Sequence, residues 1–411
     1  MYTDIAVIGG GASGLAAAIG AKTENPALSV TVFEKLDRVG KKLLSTGNGR
    51  CNLSSRSLVS EHYHGSVKNL MEIIKNTSSA EEFFMTMGVP VISDEQGRMY
   101  PRSESAAAVL RSLRMRTSEL GITEVCGFEL AEIRRSKRGY IITSKSGATA
   151  ECCCIIAAAG GYAAPQLGTD GSVMRIFRDM GYKTAKICPA VAPLKVSPDK
   201  LKGLKGVRVK GAVSAVSGGK ILKTEQGEIQ FTESALSGIC VFNLARFFNE
   251  YEGRLALRLD LAADIEKAEL IDYLERVSTQ RAAYPLEELL TGFFPKNLAV
   301  YLVKNTFNRP LTEKISTLGK RDIIALADRI KSLEFEISGC SSWNNAQVTA
   351  GGIHGSCVDN ELQSVRDRGI YFCGEILDAD GDCGGYNLQW AWSSGLWAGS
   401  NCARSLKGAK R

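Results

Sequence analysis

The 411-residue sequence has little histidine, no C-x-x-C pair and, past its first strand and helix, no uninterrupted apolar run of membrane length. Its three histidines, His62, His64 and His354, give a metal site few ligands to draw on. No metal is expected. Twelve cysteines without a single C-x-x-C exclude a zinc ribbon and a dithiol redox centre. On a chain of this length they read instead as reduced thiols of a cytoplasmic protein, with Cys152, Cys153 and Cys154 inside a buried strand. The longest later apolar run, Cys152 to Ala164, is broken by two glycines and stopped by Pro165, so no membrane span is expected. Ile5 to Ala21 carries no charge, but Asp4 stands where a secretory signal needs a positive one, and the mature chain is expected to begin at Met1.

Two further absences shape the reading. Acid is missing from the whole segment Lys200 to Lys223, which holds Lys200, Lys202, Lys205, Arg208, Lys210, Lys220 and Lys223. That segment is either a solvated loop and strand face or a surface for an anionic partner. The net charge of +7 permits an anionic cofactor without demanding nucleic acid, which is not expected as a partner. Arg404, Lys407, Lys410 and Arg411 form a basic tail, expected to fray. After residue 52 there is no second strand, glycine turn, helix and distal acid in sequence. TAGGIHG and ECCCIIAAAGG have the glycines but neither the spacing nor the acid.

One such set is present, and it opens the chain. Ile5 to Ile8 form an apolar, partly β-branched run bounded by glycine, the pattern of a buried parallel strand. Gly9, Gly11 and Gly14 follow in the order G-x-G-x-x-G: the first permits the turn, the second lets a pyrophosphate approach, and the third lets helix pack on strand. A second strand, Ser29 to Phe33, ends in Glu34, twenty residues after Gly14, where a carboxylate can accept from the hydroxyls of an adenosine ribose. Residues 36 to 52, LDRVGKKLLSTGNGRCN, then form a loop in which Arg38, Lys41, Lys42 and Arg50 supply charge for phosphates. Gly47 and Gly49 let its backbone come close to a ligand.

Farther on, helices are expected over 66–87, 105–120 and 172–181, with a ribbon of short strands between them that returns through the apolar 150–159 and ends in Gly160 and Gly161. At this length two or three domains are expected. From about 190 the text turns to short β segments, as a small antiparallel sheet or barrel, and from about 263 to helices over 264–280, 285–294, 297–307 and 320–333. A last helix is expected over 387–402, with Trp390, Trp392 and Trp397 as core. The expected organisation is a discontinuous nucleotide domain, 1–190 and 338–411. It is interrupted by an insertion, 191–337, that is β-rich over 191–262 and helical over 263–337.

Six stretches together resemble the two-dinucleotide-fold flavoproteins, and within them the BaiN-like or aminoacetone-oxidase-like family of bacterial NAD(P)/FAD-dependent oxidoreductases. They are VIGGGASG at 7–14, VGKKLLSTGNGRCN at 39–52, AAAGG at 157–161, FTESALSG at 231–238, TAGGI at 349–353 and FCGEILDADGDCGGYNLQWAWSSG at 372–395. The resemblance covers the whole chain. It implies an α/β fold: a discontinuous Rossmann-like FAD-binding domain with an inserted β-barrel-like plus helical region. It also implies that Gly9, Gly11, Ala12, Ser13 and Gly14 meet the FAD pyrophosphate, and Glu34 and Lys35 the adenosine. Lys42 and Thr46, Gly47, Asn48, Gly49, Arg50, Cys51 and Asn52 would run along the phosphates and ribitol. Leu130 would touch adenine through its backbone, with Ala159 and Gly160 a second close approach. Gly374 and Glu375 would stand at the ribitol, and Gly384, Gly385, Tyr386, Asn387, Leu388 and Gln389 at the pyrimidine edge of the flavin. A helix starting near Asn387 would aim its positive end at the atoms that gain negative charge on reduction. The family's histidine after the threonine of the FT segment is Glu233 here.

The implied activity is hydride transfer from NAD(P)H, or from an organic small-molecule substrate, through FAD to an acceptor. No catalytic residue stands out, since the cofactor carries the hard chemistry. Without a second nucleotide domain, NAD(P)H would be a transient reductant. Two other classes stay open: a flavin-dependent RNA-modifying or RNA-binding protein, and a flavin redox sensor without turnover. Cys51 and Cys383 read as small packed side chains, and Asp378, Asp380 and Asp382 lack the trailing glutamate of a calcium loop.

Overall fold

The computed structural model describes residues 1–251 and 253–407, so Lys410 and Arg411 of the basic tail lie outside the described residues. The chain divides into two compact units, one of Met1–Pro189 with Ala346–Arg411 and one of Ala190–Asn345. Among the described residues no helix is long and apolar enough to cross a membrane.

In the first unit, the strands Thr123–Cys126, Val30–Glu34, Tyr2–Ile8 and Thr149–Ala157 lie side by side in parallel, in that order. The strand Thr149–Ala157 carries two neighbours on its other edge. Its first half pairs antiparallel with Tyr140–Ser144, and its end pairs in parallel with Ile370–Phe372, which brings the C-terminal segment back into the sheet. Leu130–Arg135 completes the ribbon beyond Tyr140–Ser144. The run CCCIIA is apolar because Cys152, Cys154, Ile155, Ile156 and Ala157 are all buried beside the first strand.

The helix Ala12–Glu24 is buried from Ser13 through Ala21 and packs against the last helix, Tyr386–Lys407. Small residues permit that approach: a Cβ on Gly395 would stand 2.4 Å from the Ser13 carbonyl oxygen, and one on Gly399 2.1 Å from that of Ala17. The last helix runs five residues past Cys402, the end expected from the sequence. Arg404 and Lys407 do not fray but pair with Glu24 at 3.0 and 2.7 Å. Trp390 and Trp392 are buried, the latter edge-on to Phe84 at 5.1 Å, whereas Trp397 is only partly buried and donates to Asn360 O at 2.8 Å.

The single helix expected over 66–87 is two, Leu70–Asn76 and Ala80–Met85. Ser79 forms a capping box with Glu82, so a new helix starts where periodicity alone ran on.

The second unit has its own apolar core under a seven-stranded sheet. Its strands pair in a line: Leu333–Glu336, Ala256–Asp260, Arg208–Ser217, Lys220–Phe231, Ala235–Ser237, Leu194–Lys195 and Gly339–Cys340. Each of these neighbours pairs antiparallel. Gly218 and Gly219, both at positive φ, make the two-residue hairpin between its longest strands. Helices Lys267–Gln280, Lys296–Phe307 and Lys320–Lys331 belong to this unit. The helix expected over 285–294 shrinks to the turn Leu286–Glu288. There the N–H groups of Leu286 and Glu287 bond to Glu313 and Leu311 carbonyls instead, and Gly292 at φ +87° ends any continuation.

The acid-free basic segment finds its acids beyond its own end, across the hairpin for Arg208 and two residues along the same strand for Lys223. Lys205 pairs with Glu233 at 2.9 Å, Arg208 with Glu228 at 3.2 Å and Lys223 with Glu225 at 2.9 Å. Absence of acid in sequence is not absence of acid in space. Glu233, which follows the threonine of the FT segment, stands exposed in one of these surface pairs.

Candidate functional site

The three glycines of the first turn have three different surroundings. Gly9 is at φ +104°, and a Cβ there would lie 2.6 Å from Ala158 O; a Cβ on Gly14 would lie 1.9 Å from Gly9 O. Those two are glycines because protein fills the space. Around Gly11, a Cβ would meet nothing within 4 Å. The helix that Gly11 caps has no side-chain cap and no acid in its first turn, so its unpaired N–H groups stay available for an anion. Glu34 is set beside this turn by the N–H groups of Gly10 and Leu36, which donate to its two oxygens at 2.8 and 2.9 Å. Each oxygen keeps lone-pair capacity for a ligand hydroxyl.

An open cleft lies next to it, and six of the expected residues line it: Gly9, Glu34, Lys35, Leu130, Ala159 and Gly160. Phe33 and Phe128, with ring centroids 4.7 Å apart, wall its apolar side. Gly168, Asp170, Gly171 and Ser172 also line it. No part is expected for them from the sequence, although GTDGS, between the Gly160–Gly161 pair and a helix, is a second glycine-rich helix start. Lys35 Nζ reaches Asp170 Oδ2 at 2.9 Å. Burial pushes the Asp170 carboxyl up, but hydrogen bonds from Ser172 and Lys35 outweigh it and hold the group at about 2. Because the folded value lies below the ordinary 3.8, the stability it lends is complete above that value and is lost as pH falls toward 2. Asp170→Asn is therefore expected to lose less stability on acidification than wild type; urea midpoints at neutral pH and near pH 3 check this.

A second group gathers around Ser13. A Cβ on Gly374, which is at φ +73°, would come 2.4 Å from Ser13 Oγ, and the Gly374 N–H donates to Ser394 Oγ at 2.9 Å. Glu375 accepts from Lys42 Nζ at 2.8 Å and from the Thr349 N–H at 2.9 Å, so it ties the basic loop to the TAGGI segment. In that loop Gly47, Asn48, Gly49 and Cys51 all have φ between +55° and +84°. Two of them are not glycine, a backbone cost that the surroundings must hold in place. Thr46 Oγ1 donates back to Leu43 O at 2.7 Å, and Arg50 lies 4.6 Å over the Tyr100 ring.

The third group is the start of the last helix. A Cβ on Gly385 would stand 2.2 Å from Ser54 O and 2.8 Å from Asn52 Oδ1. Asn52 Oδ1 is buried with no hydrogen-bond partner. The side chain of Asn387 fixes the preceding loop, accepting from the Gly381 N–H at 2.8 Å and donating to Gly381 O at 2.7 Å. Leu388 is partly buried, and the buried Gln389 amide is engaged with Ser54 and Ser393, which leaves backbone rather than side chain for a ligand here. Burial pushes the Cys51 thiol up to about 12 and that of Cys383 up to about 11, away from the thiolate that redox chemistry needs. Cys51→Ala and Cys383→Ala are each expected to keep the rate of flavin reduction within about tenfold, under roughly 1.4 kcal/mol of barrier, by stopped-flow absorbance.

Open space at Gly11, an uncapped helix end, a carboxylate with spare lone pairs and the orphaned Asn52 oxygen are what an FAD would complete. The residues present fit it. Ala12 sits in the same first turn, so each expected cofactor residue falls in one of these groups of the first unit. Three polar residues beside the third group, His62, His64 and Asp382, were not assigned any part from the sequence; the alternation His-x-His, which puts both rings on one side of a strand, was the available signal.

The HI0933-like protein Rossmann domain matches residues 3–401. A 3-dehydro-bile acid delta(4,6)-reductase of Clostridium scindens is 34% identical over 97% of this chain and 98% of its own length. A ribosomal RNA dihydrouridine synthase of Haemophilus influenzae is 25% identical over 96% of both. Among solved structures, the quinol fumarate reductase FrdA of E. coli shares the fold at 14% identity and a TM-score of 0.52, over 100% of this chain and 71% of that one. With a family match over residues 3–401 and a relative 34% identical along nearly its whole length, the chain belongs to the HI0933-like Rossmann family of flavoprotein oxidoreductases.

Proposed function

We propose that this FAD-dependent oxidoreductase saturates a carbon–carbon double bond conjugated to a carbonyl in a small molecule. The full-length likeness to the bile acid reductase carries the reading, because a delta(4,6)-reductase acting on a 3-keto acid names that bond type. The uracil ring that a dihydrouridine synthase reduces contains the same conjugation, so the two relatives share a chemistry although their substrates differ in size and charge. FAD supplies the hydride when it is bound. The chain's own part is to hold the dinucleotide along the three groups, and to shield and orient the bond that is reduced.

NAD(P)H is the transient reductant in this reading. The antiparallel sheet of the second unit supports that part, since a dedicated nicotinamide domain needs a parallel strand–helix–strand unit. A second reading, RNA as the substrate, is favoured by the two relatives named as ribosomal RNA dihydrouridine synthases, at 25% and 24% identity. The ion pairs of Lys205, Arg208 and Lys223 reduce the free positive charge it would draw on.

The test is anaerobic. Protein bleached with one equivalent of reductant is mixed with a 3-oxo-4,6-diene bile acid, with its isolated-alkene analogue, or with unmodified ribosomal RNA. Return of the flavin colour with the dienone alone supports the first reading. Return with RNA alone supports the second, and that binding should weaken steeply with salt. No return with any of them, and steady NAD(P)H consumption by none, would leave the redox sensor.

A further inference from the structure

Saturating a conjugated bond needs a proton as well as a hydride, and a group of side chains stands ready beside the start of the last helix. The strand Tyr63–Gly65 pairs antiparallel with Ala379–Gly381, with His64 opposite Asp380, and just past this pairing the Asp382 N–H donates to His62 O at 2.9 Å. His62 Nδ1 lies 3.0 Å from Asp382 Oδ2, and His64 Nε2 lies 3.1 Å from Asp382 Oδ1. A carboxylate only accepts, so the Nδ1 of His62 and the Nε2 of His64 carry the hydrogens and both tautomers are fixed. The Asp382 side chain is 7% exposed, while that of His62 is 36% exposed. The carboxylate is thus protected and the imidazole reachable. The His62 ring stacks on Tyr386, the first residue of the last helix, with centroids 4.4 Å apart. Its position is therefore locked from two directions, by a hydrogen bond in its plane and by a ring against its face. Among the described residues no hydrogen bond occupies its Nε2.

We propose that His62 Nε2 delivers the proton to the α-carbon of the conjugated bond, with Asp382 as the positioning residue that holds the ring, and with His64 anchoring the second carboxylate oxygen. This rests on the double-bond reading above. In the step, the carbon–carbon π bond breaks, the hydride from the reduced cofactor brings both electrons of one new C–H bond, and the imidazolium N–H breaks to give the other. The N–H electron pair stays on Nε2. Water restores the proton to the exposed ring, and NAD(P)H restores the two electrons. Imidazole suits the task because it gives and takes a proton near neutral pH.

The experiment compares wild type with His62→Gln, His62→Ala and Asp382→Asn. The readouts are FAD per chain, melting temperature, and the anaerobic return of flavin colour with two oxidants. One oxidant is a 3-oxo-4,6-diene bile acid, which needs a proton on carbon; the other is ferricyanide, which does not. The expected result is unchanged FAD content and melting temperature, unchanged return with ferricyanide, and return with the dienone slowed about 100-fold or more by His62→Gln. Added imidazole should restore part of the dienone rate in His62→Ala and none in Asp382→Asn. Dienone rates equal to wild type in His62→Gln would overturn the proposal. So would equal slowing with both oxidants or loss of FAD, which would make the cluster a structural clasp on the cofactor loop. If wild type answers to ferricyanide and to no enone, the double-bond reading itself is wrong and the proton donor falls with it.

Discussion

Gly11→Val is expected to give a folded protein without FAD. The backbone at Gly11 has φ −81°, which any residue adopts, and a side chain there meets no protein atom within 4 Å. What valine fills is the path of the pyrophosphate over the helix start, where it both blocks close approach and screens the N–H groups that would bond to it. The loss should be at least about a thousandfold in affinity, roughly 4 kcal/mol. Absorbance after gel filtration with excess FAD, alongside a melting curve of the cofactor-free proteins, checks it. Gly14→Ala provides the contrast, because its added carbon would lie 1.9 Å from Gly9 O and must force helix and strand apart. That variant should lose stability and cofactor together. A yellow Gly11→Val would place the dinucleotide elsewhere.

Gly399→Val is expected to have the other large effect, on folding. The first and last helices meet through Ser13, Ala16, Ala17 and Gly20 on one side and Gly395 and Gly399 on the other. A Cβ on Gly399 would be 2.9 Å from Ala17 C and 2.1 Å from its carbonyl oxygen, which are backbone atoms that cannot rotate away. Overpacking of this kind costs about 3 kcal/mol or more, and a β-branched residue adds helix strain. The cost reaches the site, since the last helix carries Gly395 against Ser13 O, and Ser13 Oγ lies against Gly374. Chemical denaturation should show the midpoint fall, and FAD should be held more weakly even where the protein stays folded. Gly399→Ser is the milder variant that keeps the comparison readable if valine prevents folding.

How much of this was legible in the sequence depends on whether the signal was local. The first strand, turn and helix came out because apolar period, glycine order and the position of Glu34 all report on one short stretch of chain. So did the last helix, whose start at Tyr386 lies one residue from the expected Asn387. The helix break at Ser79 is also local, but the apolar period runs on through the capping box and masks it. The neutralisation of Lys205 and Arg208 is not local: Glu228 arrives on the returning strand and Glu233 just past its end, 20 and 28 residues on. The same holds for His62 and Asp382, which are 320 apart in sequence and joined by a two-stranded pairing that neither segment announces. Lys42 and Glu375, 333 apart, were each assigned to the cofactor from their own motif, while the bond between them came only with the fold. The form of the inserted β region could be a sheet or a barrel on period alone; the pairing order makes it a line of seven strands.

The central proposal is that one dinucleotide, FAD, lies along the three groups of the first unit. The most direct measurement is the cofactor content of the purified protein, by visible absorbance and by mass after heat release, before and after incubation with FAD and, separately, with NAD. The expected result is a yellow protein with one FAD per chain, or a colourless one that becomes so on incubation with FAD, and no stable uptake of NAD. A protein that stays colourless with FAD but retains NAD would contradict it.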